Sequence, residues 1–323
     1  MAMVDGKAEM STARVAVCSR SFSKNAVLRE ELLARYPQVT FNDAGVRLEG
    51  EDLVAFLRGH QKAIVALERI DEFVLSRLPE LKVIGKYGVG LDGIDLDAVR
   101  RRGTRFGWTS GVNRRSVSEL ALAFMISLLR RTVAANLAVR AGTWRQLQGG
   151  LLTGRTIGIV GCGHVGKDLV RLLQPFGVSI LVHDIRHYGE FYAEFQITPV
   201  GLDALLAQAD VVTLHVPFDQ STRGMLAAEG LARMKSSSIL VNTARGGLVD
   251  EAALTVALRE QRLAGAAFDV FAEEPPVDHE LIALPNFLAT PHIGGSSAEA
   301  VLAMGRAAID GLDVNEIPAE GAF

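Results

Sequence analysis

The sequence predicts an α/β protein made of two doubly wound parallel sheets, each in its own domain. Three observations lead there. At 323 residues the chain exceeds one ordinary core and suits two domains of about 100 to 200 residues each. Short β-branched runs alternate with helical stretches, which places parallel strands between two layers of helices. That alternation starts twice, on either side of one long helical stretch.

Taken in order, the first residues MAMVDGKAEMST carry Asp5 and Glu9 and no apolar run, so neither a secretory signal nor an anchor is expected there. RVAVC (14–18), KAIVAL (62–67) and KVIGKY (82–87) read as buried strands, with helices over Asn25 to Arg35 and Asp71 to Leu78. Ser116 to Gly142 reads as one helix of about 26 residues, with Ser116 and Glu119 as a capping box. Its length suits an element that bridges domains or meets a second subunit. Its apolar run, Leu120 to Leu129, falls well short of the roughly 20 residues that span a bilayer. The second series is TIGIV (156–160), SILVHD (179–184), VVTLHV (211–216), SILVN (238–242) and GAAFDV (265–270). A last helix, Ser296 to Asp313, is expected to return to the first domain. The expected domains are therefore 1–113 with 293–323, and 114–292.

Composition narrows the function. With 49% apolar and 22% charged residues the chain is of ordinary globular type. Its 34 basic and 37 acidic residues leave a net charge of -3, which gives no field for gathering nucleic acid. Cys18 and Cys162 are the two cysteines, too few for a disulfide framework, so a reducing cytoplasm is expected.

The string TIGIVGCGHVGKDLVRLL sets Gly161, Gly163 and Gly166 directly after a strand, with His164 and Val165 opening a helix. The first glycine permits a tight turn, the second lets backbone approach a pyrophosphate, and the third allows close packing of helix on strand. Eighteen residues past Gly166 the next strand ends at Asp184, whose carboxylate suits the ribose hydroxyls of NAD and repels a 2′-phosphate. Arg186 weighs in the opposite direction. No metal site is expected, because His183 and His187 flank Asp184 on a strand end and not on one helix face.

Three more strings carry chemistry: VNTARGGLVDE (241–251), GAAFDVFAEEP (265–275) and ATPHIGG (289–295). A nicotinamide-dependent hydride transfer to or from a carbon that bears oxygen requires proton exchange at that oxygen, and histidine exchanges protons near neutral pH. His292 is the histidine beside a Gly-rich loop after a strand. A carboxylate such as Glu274 orients the imidazole, and the planar fork of Arg245 matches a substrate carboxylate. On these strings the chain resembles the D-isomer-specific 2-hydroxyacid dehydrogenases, from Arg14 to about Asp313. The resemblance implies a flavodoxin-like substrate domain plus an NAD-binding Rossmann domain. It also implies Arg245 on the substrate carboxylate, Glu274 behind the acid/base His292, Asp269 on the nicotinamide carboxamide and Thr243 at the cofactor. In KYGVGLDGIDLDAV (86–99) it implies that the amides of Gly88, Val89 and Gly90 meet the substrate; Gly93 stands where the family has Asn.

Arg20, Arg69 and Lys86 follow first-domain strands and suggest a substrate with a second anionic group, such as 3-phosphoglycerate or a phosphonate, with Arg114 and Arg115 adding to the field. The resemblance further implies a phosphoglycerate dehydrogenase-like protein, expected without a C-terminal regulatory domain and homodimeric through the long helix. Glu274 stands where formate dehydrogenases carry Gln. An NADH-binding corepressor of the same fold is the alternative reading.

Overall fold

The computed structural model describes residues 12–277 and 279–320, so Asp5 and Glu9 lie outside the described residues. The chain divides into two compact units, Met1–Asn113 with Ala298–Phe323, and Arg114–Ser297. Residues 293–297, expected with the first domain, therefore belong to the second unit.

In the first unit, strands β1 (Val15–Val17), β2 (Val39–Phe41), β3 (Lys62–Val65), β4 (Val83–Lys86) and β5 (Arg105–Gly107) form one parallel sheet in the order β2-β1-β3-β4-β5. That is the flavodoxin-like order. One face buries Leu53, Leu57 and Ile84, the other Phe22, Leu28, Leu32 and Ile309. The last of these comes from the helix Ala298–Gly311, so the chain end does pack into the first unit. Asn25 and Asp71 cap the helices Ala26–Arg35 and Glu72–Leu75 with their side chains, as those residue types do. The edge strands β2 and β5 were not expected; VTF and RFG lack the continuous buried β-branched run that marks β1.

In the second unit, β6 (Thr156–Val160), β7 (Ser179–His183), β8 (Thr198–Pro199), β9 (Val211–Leu214), β10 (Ile239–Asn242), β11 (Gly265–Phe268) and β12 (Phe287–Ala289) run in parallel, ordered β12-β11-β10-β9-β6-β7-β8. The reversal beside β6 is the switch point of the Rossmann arrangement. Strands β6, β9, β10 and β11 are buried nearly throughout, as strands covered on both faces must be.

The long helix departs from expectation. It begins at Arg114, runs to Arg130, and continues as Thr132–Arg140 after a bend of 63° at Arg131, which sits at φ 53°. Leu129 is its last buried position, and the carbonyl of Leu129 accepts from Gly150 N (2.8 Å), the bond a straight helix would spend on residue 133. Ser116 does not cap; its hydroxyl donates to the Gly294 carbonyl (2.6 Å). Among the described residues no single helix is long and apolar enough to cross a membrane.

Candidate active site

The catalytic strings all open at the carboxyl ends of β10, β11 and β12. Arg245 lies three residues past β10. Asn242 shapes that turn, donating from Nδ2 to the Arg245 carbonyl (2.8 Å) and accepting from Ala244 N (3.1 Å). The Arg245 guanidinium is half-buried and donates to the Ala244 carbonyl (2.7 Å). Gly246 then passes so close to the β11 loop that a Cβ there would lie 1.8 Å from the Phe271 carbonyl oxygen. Only glycine lets these two backbones meet.

Past β11, Phe271 N donates to Glu274 Oε1 (3.1 Å), and Glu274 Oε2 faces His292 Nδ1 at 2.8 Å. His292 sits at φ 54°, sparsely populated backbone for a side chain with a Cβ. Asp269 accounts for its persistence. Its carboxylate is 1% exposed and accepts from Thr290 Oγ1, Ile293 N (2.7 Å) and Gly294 N (2.6 Å), while its carbonyl accepts from His292 N (2.9 Å). The residue expected at the nicotinamide thus also ties down the catalytic loop; three of about four acceptor positions are in use, and one is left for a further donor. A cavity of about 450 Å³ adjoins the pair, lined by Phe271, Glu274, Pro275, Ala289, Pro291 and His292.

The residues expected at the cofactor follow strands of the same sheet. Gly161 turns at φ 95°, where a Cβ would meet the His215 carbonyl at 2.6 Å, and a Cβ on Gly166 would strike Gly161 O at 2.2 Å. Gly163 heads the helix His164–Leu173 with no side-chain cap, and a Cβ on it would meet nothing within 4 Å. The amides of His164 and Val165 lie in the first turn of this helix, where helix N-termini favour an anion. Asp184 accepts from Cys162 N (2.6 Å) and Arg186 N (2.7 Å), one bond per oxygen, which aims the carboxylate and leaves each oxygen a lone pair. Thr243 Oγ1 is buried without a partner. An open cradle, an aimed carboxylate and an orphaned hydroxyl fit a dinucleotide. Among the described residues no group of three His, Cys, Asp or Glu side chains is placed to hold a metal.

The first unit corrects one expectation. Lys86, expected to face a second anionic group on the substrate, is 5% exposed and donates to the carbonyls of Ala66 (2.6 Å) and Tyr87 (3.3 Å) instead of standing as an open cation. Arg69 pairs with Asp71 (3.0 Å), and Arg115, in the second unit, with Asp168 (2.8 Å). Arg20 is exposed at the start of the helix Arg20–Lys24. Gly88 turns at φ 109°, and Trp108 Nε1 donates to the Val89 carbonyl (3.2 Å), fixing the 88–90 turn. Asn242, Thr290 and His215 were missed at the sequence level. Each lies inside a quoted string, but only the fold shows what its side chain faces.

Comparison with known proteins bears on the same residues. A family model for the NAD-binding domain of D-isomer specific 2-hydroxyacid dehydrogenases matches residues 122–294. A glyoxylate reductase from Thermococcus litoralis is 37% identical over 249 residues, 74% of this chain and 75% of that protein. A hydroxypyruvate reductase from Thermotoga maritima is 37% identical over 259 residues, 78% and 84% of the two chains. With D-3-phosphoglycerate dehydrogenase from Bacillus subtilis the identity is 36% over 241 residues; these cover 72% of this chain but only 45% of that longer protein. Among solved structures, a glyoxylate reductase from Paecilomyes thermophila superposes with a TM-score of 0.82 at 27% identity, covering 93% of this chain and 94% of its own.

Proposed function

Because this chain belongs to the D-isomer specific 2-hydroxyacid dehydrogenases, and so is an NAD-dependent oxidoreductase, we propose that it interconverts a small 2-oxo acid and the D-2-hydroxy acid through Arg245, Glu274 and His292. The observation that carries the roles is the 2.8 Å contact between His292 Nδ1 and Glu274 Oε2. It commits one ring nitrogen to the carboxylate and leaves Nε2 for the substrate oxygen. NADH, when bound, supplies the hydride that reduces the C2 carbonyl. His292 Nε2 delivers the proton to the C2 oxygen, Glu274 holds the ring and its transient positive charge, and Arg245 grips the carboxylate. In the oxidative direction His292 takes the hydroxyl proton back.

The substrate proposed is a monocarboxylate of the glyoxylate or hydroxypyruvate type, the substrates named for two of the relatives. A second anionic group, as in 3-phosphoglycerate or a phosphonate, has less support once Lys86 and Arg69 are engaged elsewhere. Gly88, Val89 and Gly90 stand as proposed carboxylate contacts. A panel of 2-oxo acids with NADH, including a 3-phospho compound, tests this: the uncharged side groups should give the higher kcat/KM. A phosphorylated substrate that leads the panel, and loses its lead in Arg20→Ala, would reinstate the dianion.

A homodimer is proposed with it. The helix Thr132–Arg140 buries none of its residues, and Leu137 (58%), Trp144 (87%) and Leu151 (65%) are exposed. Such an apolar run is what a second copy would cover. Light scattering should give twice the chain mass, falling toward one in Leu137→Glu. A cytoplasmic location is proposed on the two buried, unpaired thiols.

A further inference from the structure

The last paired residues of five adjacent strands stand in one row: Phe268 opposite Asn242, Asn242 opposite Leu214, Leu214 opposite Val160, and Val160 opposite His183. The next residue of each strand makes a second row along the carboxyl edge, in the order Asp269, Thr243, His215, Gly161, Asp184. Four steps of about 4.8 Å make this row about 19 Å long. Asp184 marks its adenosine-ribose end, the Gly161 turn the pyrophosphate, and Asp269 the nicotinamide end. His215 and Thr243 fall between the pyrophosphate turn and the nicotinamide. The dinucleotide group that belongs in that interval is the ribose carrying the nicotinamide, with its two hydroxyls.

Both residues have a polar atom to offer. Thr243 Oγ1 and His215 Nδ1 are buried and without a partner. The other ring nitrogen of His215 is engaged with Thr213 Oγ1 at 3.0 Å, and Thr213 is fully buried in β9. The His215 backbone is fixed as well, its N–H donating to the Val160 carbonyl (2.7 Å) and its own carbonyl standing against Gly161. Burial pushes the imidazole down to about 3, so it is neutral at working pH, with one N–H and one lone pair. If Nε2–H donates to Thr213, Nδ1 accepts; if Thr213 donates, Nδ1–H donates. A ribose hydroxyl satisfies either case, whereas a phosphate satisfies only the second. A buried polar atom without a partner is costly, and a site that binds a polar ligand is where such an atom is expected.

We propose that His215 Nδ1, with Thr243 Oγ1 beside it, hydrogen-bonds the hydroxyls of the nicotinamide-side ribose of NAD(H), making His215 a binding residue. The inference rests on the NAD assignment and goes beyond the three catalytic residues.

The test compares ADP, ADP-ribose and NADH, because ADP-ribose adds to ADP only the ribose in question. Affinities are measured without substrate, by calorimetry for all three and nicotinamide fluorescence for NADH. In His215→Phe, which keeps a ring and removes both nitrogens, ADP-ribose and NADH should each bind about 3- to 10-fold more weakly and ADP as in wild type. His215→Asn, whose amide reaches the Nδ1 position, should recover most of the loss. The near-isosteric Thr243→Val should show the same ligand pattern as His215→Phe and serves if the Phe variant does not fold. Loss of ADP affinity in step with the others, or unchanged ADP-ribose and NADH affinity, overturns the proposal. A wild-type protein that binds none of the three would instead refute the NAD assignment on which it stands.

Discussion

Gly246→Ala tests the junction on which the catalytic geometry depends. A methyl at Gly246 would lie 1.8 Å from the Phe271 oxygen, 2.0 Å from its carbonyl carbon and 2.5 Å from Ala272 N. Ordinary contact needs about 3.5 Å, and backbone cannot swing aside as a flexible side chain can, so the two loops must separate by about 1.7 Å. The displacement falls between Arg245, one residue before Gly246, and Phe271, whose N–H holds Glu274. Misplacing a catalytic group by about 1 Å can cost about 100-fold. We expect kcat/KM with glyoxylate and NADH to fall at least about 100-fold, followed by nicotinamide absorbance. Overpacking of this kind costs about 1 to 3 kcal/mol, or roughly 2 to 12 °C in Tm for a unit of this size. NADH affinity should fall much less than turnover, because Gly161 and Asp184 stand at β6 and β7, away from the junction, although Thr243 and Asp269 lie beside it. Turnover close to wild type would show that Arg245 and Glu274 need not be held together, and the reasoning would fail.

The remaining predictions follow from single groups. His292→Asn should lower kcat by about 10² to 10⁴-fold with NADH binding intact; retained turnover would remove His292 as the acid/base. Arg245→Lys keeps charge and loses the fork, so KM for the oxo acid should rise as kcat falls, and an unchanged KM would argue against carboxylate binding. Asp184→Ser should narrow the preference for NADH over NADPH; a wild type that already prefers NADPH would mean that exposed Arg186 dominates. His215 is pushed down from 6.5 to about 3 by burial. Below pH 6.5 the unfolded chain takes up this proton and the folded chain does not, so stability should fall by about 1.4 kcal/mol per pH unit on acidification toward pH 3 and not change above pH 6.5. Urea unfolding at pH 5 and 7.5 should therefore show wild type losing about 2 kcal/mol more than His215→Asn; equal losses would mean that the imidazole protonates freely in the fold.

The sequence alone determined the features that are local. The eight strands read from β-branched runs are strands of the two sheets, with ends trimmed by a residue or two, because a buried strand shows as a continuous apolar run. The glycine turn and Asp184 were legible because each rests on a strand end whose position the pattern already gives, whereas Arg245, Glu274 and His292 were read from strings that resemble the family's, the last of them after β12, a strand the pattern did not show. Tertiary structure decided what depends on residues distant in sequence. The helix expected from Ser116 to Gly142 breaks at Arg131, because Gly150 takes the Leu129 carbonyl and no core lies beyond Leu129. Lys86 reads as a cation for a second anionic group on the substrate, and only the fold shows its ammonium donating to Ala66 O, since charge at a strand end says nothing of which carbonyls surround it. Asp269 ties down the left-handed His292 loop through Thr290, Ile293 and Gly294, more than 20 residues away. The row from Asp269 to Asp184 exists only because strand order places β9 and β10 beside β6, and no spacing within the chain encodes that order.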